Sequence, residues 1–209
     1  MFYLISFIVL SYLIGSIPTS VWIGKIFYHK DIREYGSGNA GATNTFRVFG
    51  AKAGIPVFIF DALKGWGPAF LAQEFSYLYP FSHDILLFPI IIGTIAVIGH
   101  IFPIFAGFKG GKGVATILGM AVGIEPLGAS ICAGIFLIFL FLTKYVSLGS
   151  LIAGICFPLL LNIVIGTEST TLVIFSIVAS VLLFVTHQKN LKRLFAGTEN
   201  KTYLIKKKQ

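Results

Sequence analysis

The chain has 209 residues, of which 56% are hydrophobic and 11% charged, and its mean hydropathy is +0.89. A soluble domain carries about 25% charged residues, so the composition excludes an ordinary water-soluble fold and points to a polytopic membrane protein, a single domain over residues 1–209. The net charge of +8 does not argue for a nucleic-acid partner, because membrane topology accounts for where the cations stand.

A helix that crosses a bilayer needs about 20 apolar residues. Seven such runs are expected, near 2–27, 53–73, 85–105, 114–124, 127–143, 148–166 and 170–186, giving an all-α integral membrane protein. No basic segment precedes the first run and Lys25 follows it. That pattern reads as a first spanning helix with its N-terminus outside, not as a cleavable signal. Lys25, Lys30, Arg33, Arg47 and Lys52 come after the first run, Lys109 and Lys112 after the third, and Lys144 after the fifth. Lys189, Lys192, Arg193, Lys201, Lys206, Lys207 and Lys208 come after the seventh. The opposite connections carry Glu74, Asp84, Glu125 and Glu168 and no Lys or Arg. The positive-inside rule then predicts an external N-terminus and a cytoplasmic C-terminus. The basic stretch at about 188–209 is expected to be a cytoplasmic tail, with 201–209 solvated or touching lipid head groups. The fourth run is short for a core of about 30 Å at about 1.5 Å per residue. Either it is tucked among longer neighbours, or the loop before it dips below the membrane surface.

Along the chain, the first polar constellation is Gly36-Ser37-Gly38-Asn39-Ala40-Gly41-Ala42-Thr43-Asn44, with Arg47 behind it. A turn between helices would explain the glycines. A nest for an oxyanion explains the rest: Ser37, Asn39, Thr43 and Asn44 offer hydrogen bonds, and Arg47 can grip phosphate with a bidentate fork. Asp61 and Lys64 follow inside the second run, on one helix face. Ionisable groups at that depth are costly, and the pair reads as a structural ion pair or as support for the cytoplasmic loops. His100 ends the third run, as a capping or hydrogen-bonding residue or as a catalytic one.

Lys109-Gly110-Gly111-Lys112-Gly113-Val114-Ala115-Thr116 is the most telling stretch. Its glycines allow close backbone approach, its lysines add charge, and a helix starting near Gly113 adds the positive end of its dipole. The spacing is not that of a nucleotide-binding P-loop, and no βαβ unit precedes it. Cys132 and Cys156 lie in apolar runs and read as packing residues. Ser147 and Ser150 sit three apart, and at least one is expected to meet a ligand hydroxyl. His187 and Asn190 share a helix face just past the seventh run, with Arg193 close behind. Clustered carboxylates for a di-metal site are absent from this pattern, so no metal and no cofactor is expected.

This ordered set continues from Arg193 through Leu194, Gly197, Glu199 and Lys201, and His100 is followed by Phe102-Pro103 and Ala106. As a whole it resembles the bacterial acyl-phosphate:glycerol-3-phosphate acyltransferases, the PlsY type, over nearly the full chain. The resemblance implies a multi-pass enzyme of the bacterial cytoplasmic (inner) membrane with seven helices and its N-terminus outside. It implies transfer of a fatty acyl group from acyl phosphate to the 1-hydroxyl of sn-glycerol 3-phosphate, giving lysophosphatidate and phosphate. The expected partners are those two substrates, membrane lipids and an enzyme that makes acyl phosphate. Expected catalytic residues are Arg47, Lys112, His187 and Asn190. Ser37, Gly38, Asn39, Gly41, Thr43, Asn44, Lys109, Gly110, Gly111, Thr116, Ser147 and Ser150 are expected to bind substrate, with Asp61, Lys64, His100 and Arg193 in support. The base for the hydroxyl proton is His187 or the substrate phosphate. A channel or carrier for phosphate is the competing class, and polar groups gathered on one face argue against it.

Overall fold

A computed structural model describes residues 2–79 and 82–202, and among them every regular element is helical. The first apolar run is two helices, α1 (Phe2–Gly15) and α2 (Thr19–Tyr28), which together make one candidate span of 26 residues. The span expected near 2–27 is therefore present as a candidate span, built of two helices. Pro18 precedes α2 and has no N–H to continue the ladder, and at this break the Ile17 carbonyl accepts from the Thr19 N–H at 3.0 Å and has room for a second donor. Lys64 is that donor, from Nζ at 2.7 Å.

A 3₁₀ turn at Ile32–Glu34 leads to the short helix α3 (Ala42–Phe49), which carries Thr43, Asn44 and Arg47. Arg33 pairs with Asp31 at 2.7 Å and donates to the Ala106 carbonyl at 2.8 Å. This ties the segment before α3 to the connection after the third run. Next come α4 (Ala51–Leu78), α5 (Leu87–Ile101) and a 3₁₀ turn at Ile104–Ala106. They are followed by α6 (Val114–Ile124), α7 (Pro126–Thr143) and α8 (Val146–Leu159). Residues Leu160–Ile165 form a π-helical turn, and α9 (Thr170–Thr186) bends by 64° into α10 (Gln188–Phe195).

Among the described residues five stretches are long and apolar enough to cross a membrane, and α9 with α10 makes a sixth if the bent pair is one span. Helix α6, with 11 residues, falls short of that length. It is tucked against α4, the first of the two arrangements its length allows. A Cβ on Gly65 would lie 1.9 Å from the Thr116 carbonyl oxygen, and one on Gly119 would lie 1.9 Å from that of Ala62. Only glycine permits two helix backbones to approach so closely, and in lipid such van der Waals packing replaces the hydrophobic driving force. The core continues through Met120, Leu161, Leu172, Phe157 and Phe175, drawn from α6, α8, α9 and the π-helical turn. The protein is thus an all-helical, multi-pass membrane fold whose short helix begins beside the polar site.

Candidate active site

A cavity of about 280 Å³ opens where α3, the N-terminal end of α6, α7, α8 and α10 meet. Of the residues singled out in the sequence, Ser37, Asn39, Gly41, Thr43, Asn44, Arg47, Lys112, Ser147, Ser150, His187 and Asn190 line it, with Asp61, His100 and Arg193. An adjoining recess of about 380 Å³ shares Ser37, Asn39, Lys112, Asn190 and Arg193 and adds Gly38 and Gly111. One side of the cavity is apolar: Phe58, Phe136, Leu137 and Leu140. Phe58 and Leu137 are also exposed, so the apolar wall is open at these residues.

At the polar end three cations converge around one carboxylate. Arg193 Nε donates to Glu199 Oε2 at 2.7 Å. Asn190 Nδ2 and Ser147 Oγ donate to Glu199 Oε1 at 2.6 and 3.1 Å. Asn190 in turn accepts from Lys112 Nζ through its Oδ1. Burial alone would raise the Glu199 pKa, but the hydrogen bonds from Arg193, Asn190 and Ser147 together outweigh it and hold it low. Burial pulls Lys112 down to about 8, opposed by Glu199 and aided by Arg193 and Arg47. Burial also lowers Arg47, with Glu199 opposing and Arg193 assisting, yet a guanidinium stays charged at neutral pH. Arg47 Nη2 has one long contact, 3.4 Å to Thr202 Oγ1, and its buried Nε has no partner among the described residues. An unspent, buried N–H on a cation is a place for an anionic oxygen.

His187 lies at the bend between α9 and α10, where its Nδ1 is 2.8 Å from the Leu183 carbonyl oxygen. A carbonyl only accepts, so Nδ1 carries the proton and Nε2 is left as an acceptor for the cavity. Ser150 Oγ donates to the Val146 carbonyl at 2.9 Å, a bond within its own helix. The first intrahelical bond of α6 runs from Ile117 N–H to the Gly113 carbonyl at 2.7 Å. The amides of Val114, Ala115 and Thr116 precede it and point out of the helix start.

Several expected contacts are placed elsewhere. The amides of Gly110 and Gly111 do not form an open cradle, for they donate to the carbonyls of Ile101 and His100 at 3.1 and 3.2 Å. These glycines serve close packing instead: a Cβ on Gly110 would lie 2.0 Å from the His100 carbonyl oxygen. Thr116 is fully buried away from the cavity, with its backbone against Gly65. Lys109 is exposed and outside both cavities. Asn44 is a loop clamp: its Oδ1 accepts from the Ser37 N–H at 2.9 Å, and its Nδ2 donates to the carbonyls of Ile32 and Tyr35. Lys64 lies behind the cavity wall, 2.6 Å from Asp61 Oδ1.

The stretch after α9 is not a uniformly solvated tail. Residues 188–195 are helix α10, and Glu199 and Thr202 are buried. The Thr202 N–H donates to the Lys144 carbonyl at 2.8 Å, and Lys201 sits 5.8 Å from the Tyr145 ring centre. Residues 203–209 lie outside the described part. Glu199 is the important addition to the site. Its signal in the sequence is an acidic residue soon after Arg193 in an otherwise basic stretch, but the chain turns at Gly197 (φ 68°), so no helical spacing connects it to Asn190.

A membrane bundle with a cationic end and an apolar side in one cavity is a site for an anion joined to, or placed beside, a lipid chain. Residues 5–197 match the model of the family described as glycerol-3-phosphate acyltransferase. The chain is 43% identical to the glycerol-3-phosphate acyltransferase of Chlorobaculum tepidum, covering 94% of this chain and 95% of that one. It is 45% identical to glycerol-3-phosphate acyltransferase 2 of Bacillus anthracis, covering 93% and 96%. Among solved structures it is similar to PlsY, an integral membrane glycerol 3-phosphate acyltransferase. With the glycerol 3-phosphate form the TM-score is 0.85 at 35% identity, covering 95% of each chain. With the lysophosphatidic acid form it is 0.82 at 34% identity, covering 97% and 96%. The chain belongs to the glycerol-3-phosphate acyltransferase family.

Proposed function

We propose that this protein transfers a fatty acyl group from acyl phosphate to the 1-hydroxyl of sn-glycerol 3-phosphate, releasing lysophosphatidate and inorganic phosphate. The observation that carries the reading is the unpartnered, buried Nε of Arg47 in a cavity that also holds Lys112 and an apolar wall. Two anionic groups must be brought together against their repulsion. Arg47, Lys112 and Arg193 supply the opposing charge, and the open amides at the start of α6 add to it. The acyl chain lies along Phe58, Phe136, Leu137 and Leu140, reached from the lipid side.

In this reading the hydroxyl oxygen attacks the acyl carbonyl carbon. The new C–O ester bond forms, and the bond to the phosphate oxygen breaks with its electron pair leaving on phosphate. His187 Nε2 accepts the hydroxyl proton and passes it on to the released phosphate. Asn190 orients Lys112, and Ser147 holds Glu199 from the side of α8. Phosphate is already a good leaving group in a mixed anhydride, so positioning and charge supply much of the rate. The same reading has α6 and α9 each as a span, seven in all, with the N-terminus outside a bacterial cytoplasmic membrane, in one domain.

The test is purified protein in detergent with palmitoyl phosphate and labelled glycerol 3-phosphate, in EDTA. Label is expected in lysophosphatidate, with one phosphate released per ester formed. Phosphate release that does not depend on glycerol 3-phosphate would defeat the reading.

A further inference from the structure

At the inner wall of the cavity, Asp61 and His100, with Lys64 behind them, form a buried cluster that the transfer chemistry above does not use. Lys64 Nζ faces three acceptors: the Ile17 carbonyl at 2.7 Å, Asp61 Oδ1 at 2.6 Å and His100 Nδ1 at 3.5 Å. An ammonium has three N–H groups and no lone pair. The Ile17 carbonyl and His100 Nδ1 are its hydrogen-bond partners, Asp61 Oδ1 is an ion-pair partner, and the nearest charged atom to His100 Nδ1 is this cation. Asp61 Oδ1 is farther from Nδ1, at 3.8 Å, beyond hydrogen-bond length. A proton on Nδ1 would point at the ammonium, so the Nδ1 lone pair faces Lys64 and the neutral ring carries its proton on Nε2.

That proton has a destination. The His100 ring lies against Gly111, where a Cβ would come within 2.2 Å of Nε2, and the His100 carbonyl holds the Gly111 amide. Lys112 is the next residue, and His100 and Lys112 line the same cavity. We infer that Lys64 is a positioning residue that locks His100 in its Nε2–H form, so that His100 donates a hydrogen bond to a phosphoryl oxygen held beside Lys112. Lys64 also neutralises Asp61, whose carboxylate lines the cavity and would otherwise repel that oxygen. The phosphoryl group belongs to the acceptor or to the donor of the proposed reaction, and the inference rests on that reading for this ligand.

The tautomer is measured directly by ¹⁵N NMR of the folded protein labelled at its four histidines. The His100 signals are those lost in His100→Gln. A pyridine-like Nδ1 and a pyrrole-like Nε2 are expected, with the Nε2 signal moving when glycerol 3-phosphate or inorganic phosphate is titrated. A shift with glycerol 3-phosphate alone assigns the acceptor, and a shift with inorganic phosphate assigns the donor's phosphoryl. A pyrrole-like Nδ1, or an Nε2 that responds to neither ligand, would overturn the inference. Lys64→Met is expected to move the proton to Nδ1 and to raise the KM of one substrate about tenfold, the loss of one hydrogen bond to a charged group. His100→Gln keeps an N–H near the Nε2 position and should lose at least about fivefold less kcat/KM than His100→Asn, the residual value of that donor. Equal losses in the two variants would count against a donor role. The wild-type spectrum needs no variant to fold beyond the assignment, and it reads the tautomer even if acyl transfer itself is not observed.

Discussion

Asn190 donates its amide to Glu199 Oε1 at 2.6 Å, and this bond decides which way round the Asn190 side chain lies. With the nitrogen committed to a carboxylate, the oxygen is turned to Lys112. A residue beyond α10 thereby aims a cation at the end of the loop into α6. Glu199→Gln puts an amide nitrogen among the donors of Ser147, Asn190 and Arg193 or leaves one of them unpaired. Leaving a buried polar group unsatisfied costs about 1–3 kcal/mol. Glu199→Gln is expected to lower both the melting temperature and kcat/KM. A variant with normal melting and normal kinetics would remove Glu199 from this role.

Arg47 has one long contact and a buried Nε without a partner among the described residues, and the proposed reaction gives that donor to substrate. Arg47→Ala is expected to lower kcat/KM by at least about tenfold, since hydrogen bonds to charged groups are worth about 1.5–3 kcal/mol. Arg47→Lys restores the charge but not the planar fork, and should recover only part of the loss. Steady-state kinetics on folded variants checks this, and near-normal rates in Arg47→Ala would exclude the contact.

The depressed pKa of Lys112 sets a pH dependence. The ammonium is present below about 8 and is lost as pH rises through that value, well before an ordinary lysine at 10.5. Because kcat/KM reports the free enzyme, its alkaline limb is expected near pH 8. Bound phosphate stabilises the ammonium, so the limb in kcat should lie higher. Lys112→Arg, whatever its absolute rate, should lose the limb near 8. An unchanged limb in that variant would assign it to another group.

Much of this architecture is legible in the sequence, for physical reasons. The apolar runs mark the long helices that could cross a membrane, because lipid tolerates little else. The three-residue spacing of His187 and Asn190 brings both to one cavity, because His187 caps α10 and Asn190 lies in its first turn. Gly110 and Gly111 show where sequence misleads. Glycine signals close approach but not the approaching partner, which here is the backbone of His100 and Ile101. The hydrogen bond from Lys64 to the Ile17 carbonyl at the Pro18 break joins distant helices, and no local pattern carries it. The burial of Thr202 and Glu199 is hidden for the same reason, since basic composition reads as a solvated tail.

Topology has its own test. Single cysteines at positions 74 and 109, in a chain lacking Cys132 and Cys156, are to be labelled with an impermeant thiol reagent in intact cells. Labelling at 74 and protection at 109 are expected from the charge segregation. The reverse pattern would invert the orientation.

The central claim is that the cationic end of this cavity takes a bare phosphoryl group and its apolar side takes the acyl chain. Initial rates with palmitoyl phosphate, palmitoyl-CoA and palmitoyl-acyl carrier protein, each with glycerol 3-phosphate, test it most directly. Lysophosphatidate is expected from palmitoyl phosphate alone. Equal rates from either thioester would contradict the account.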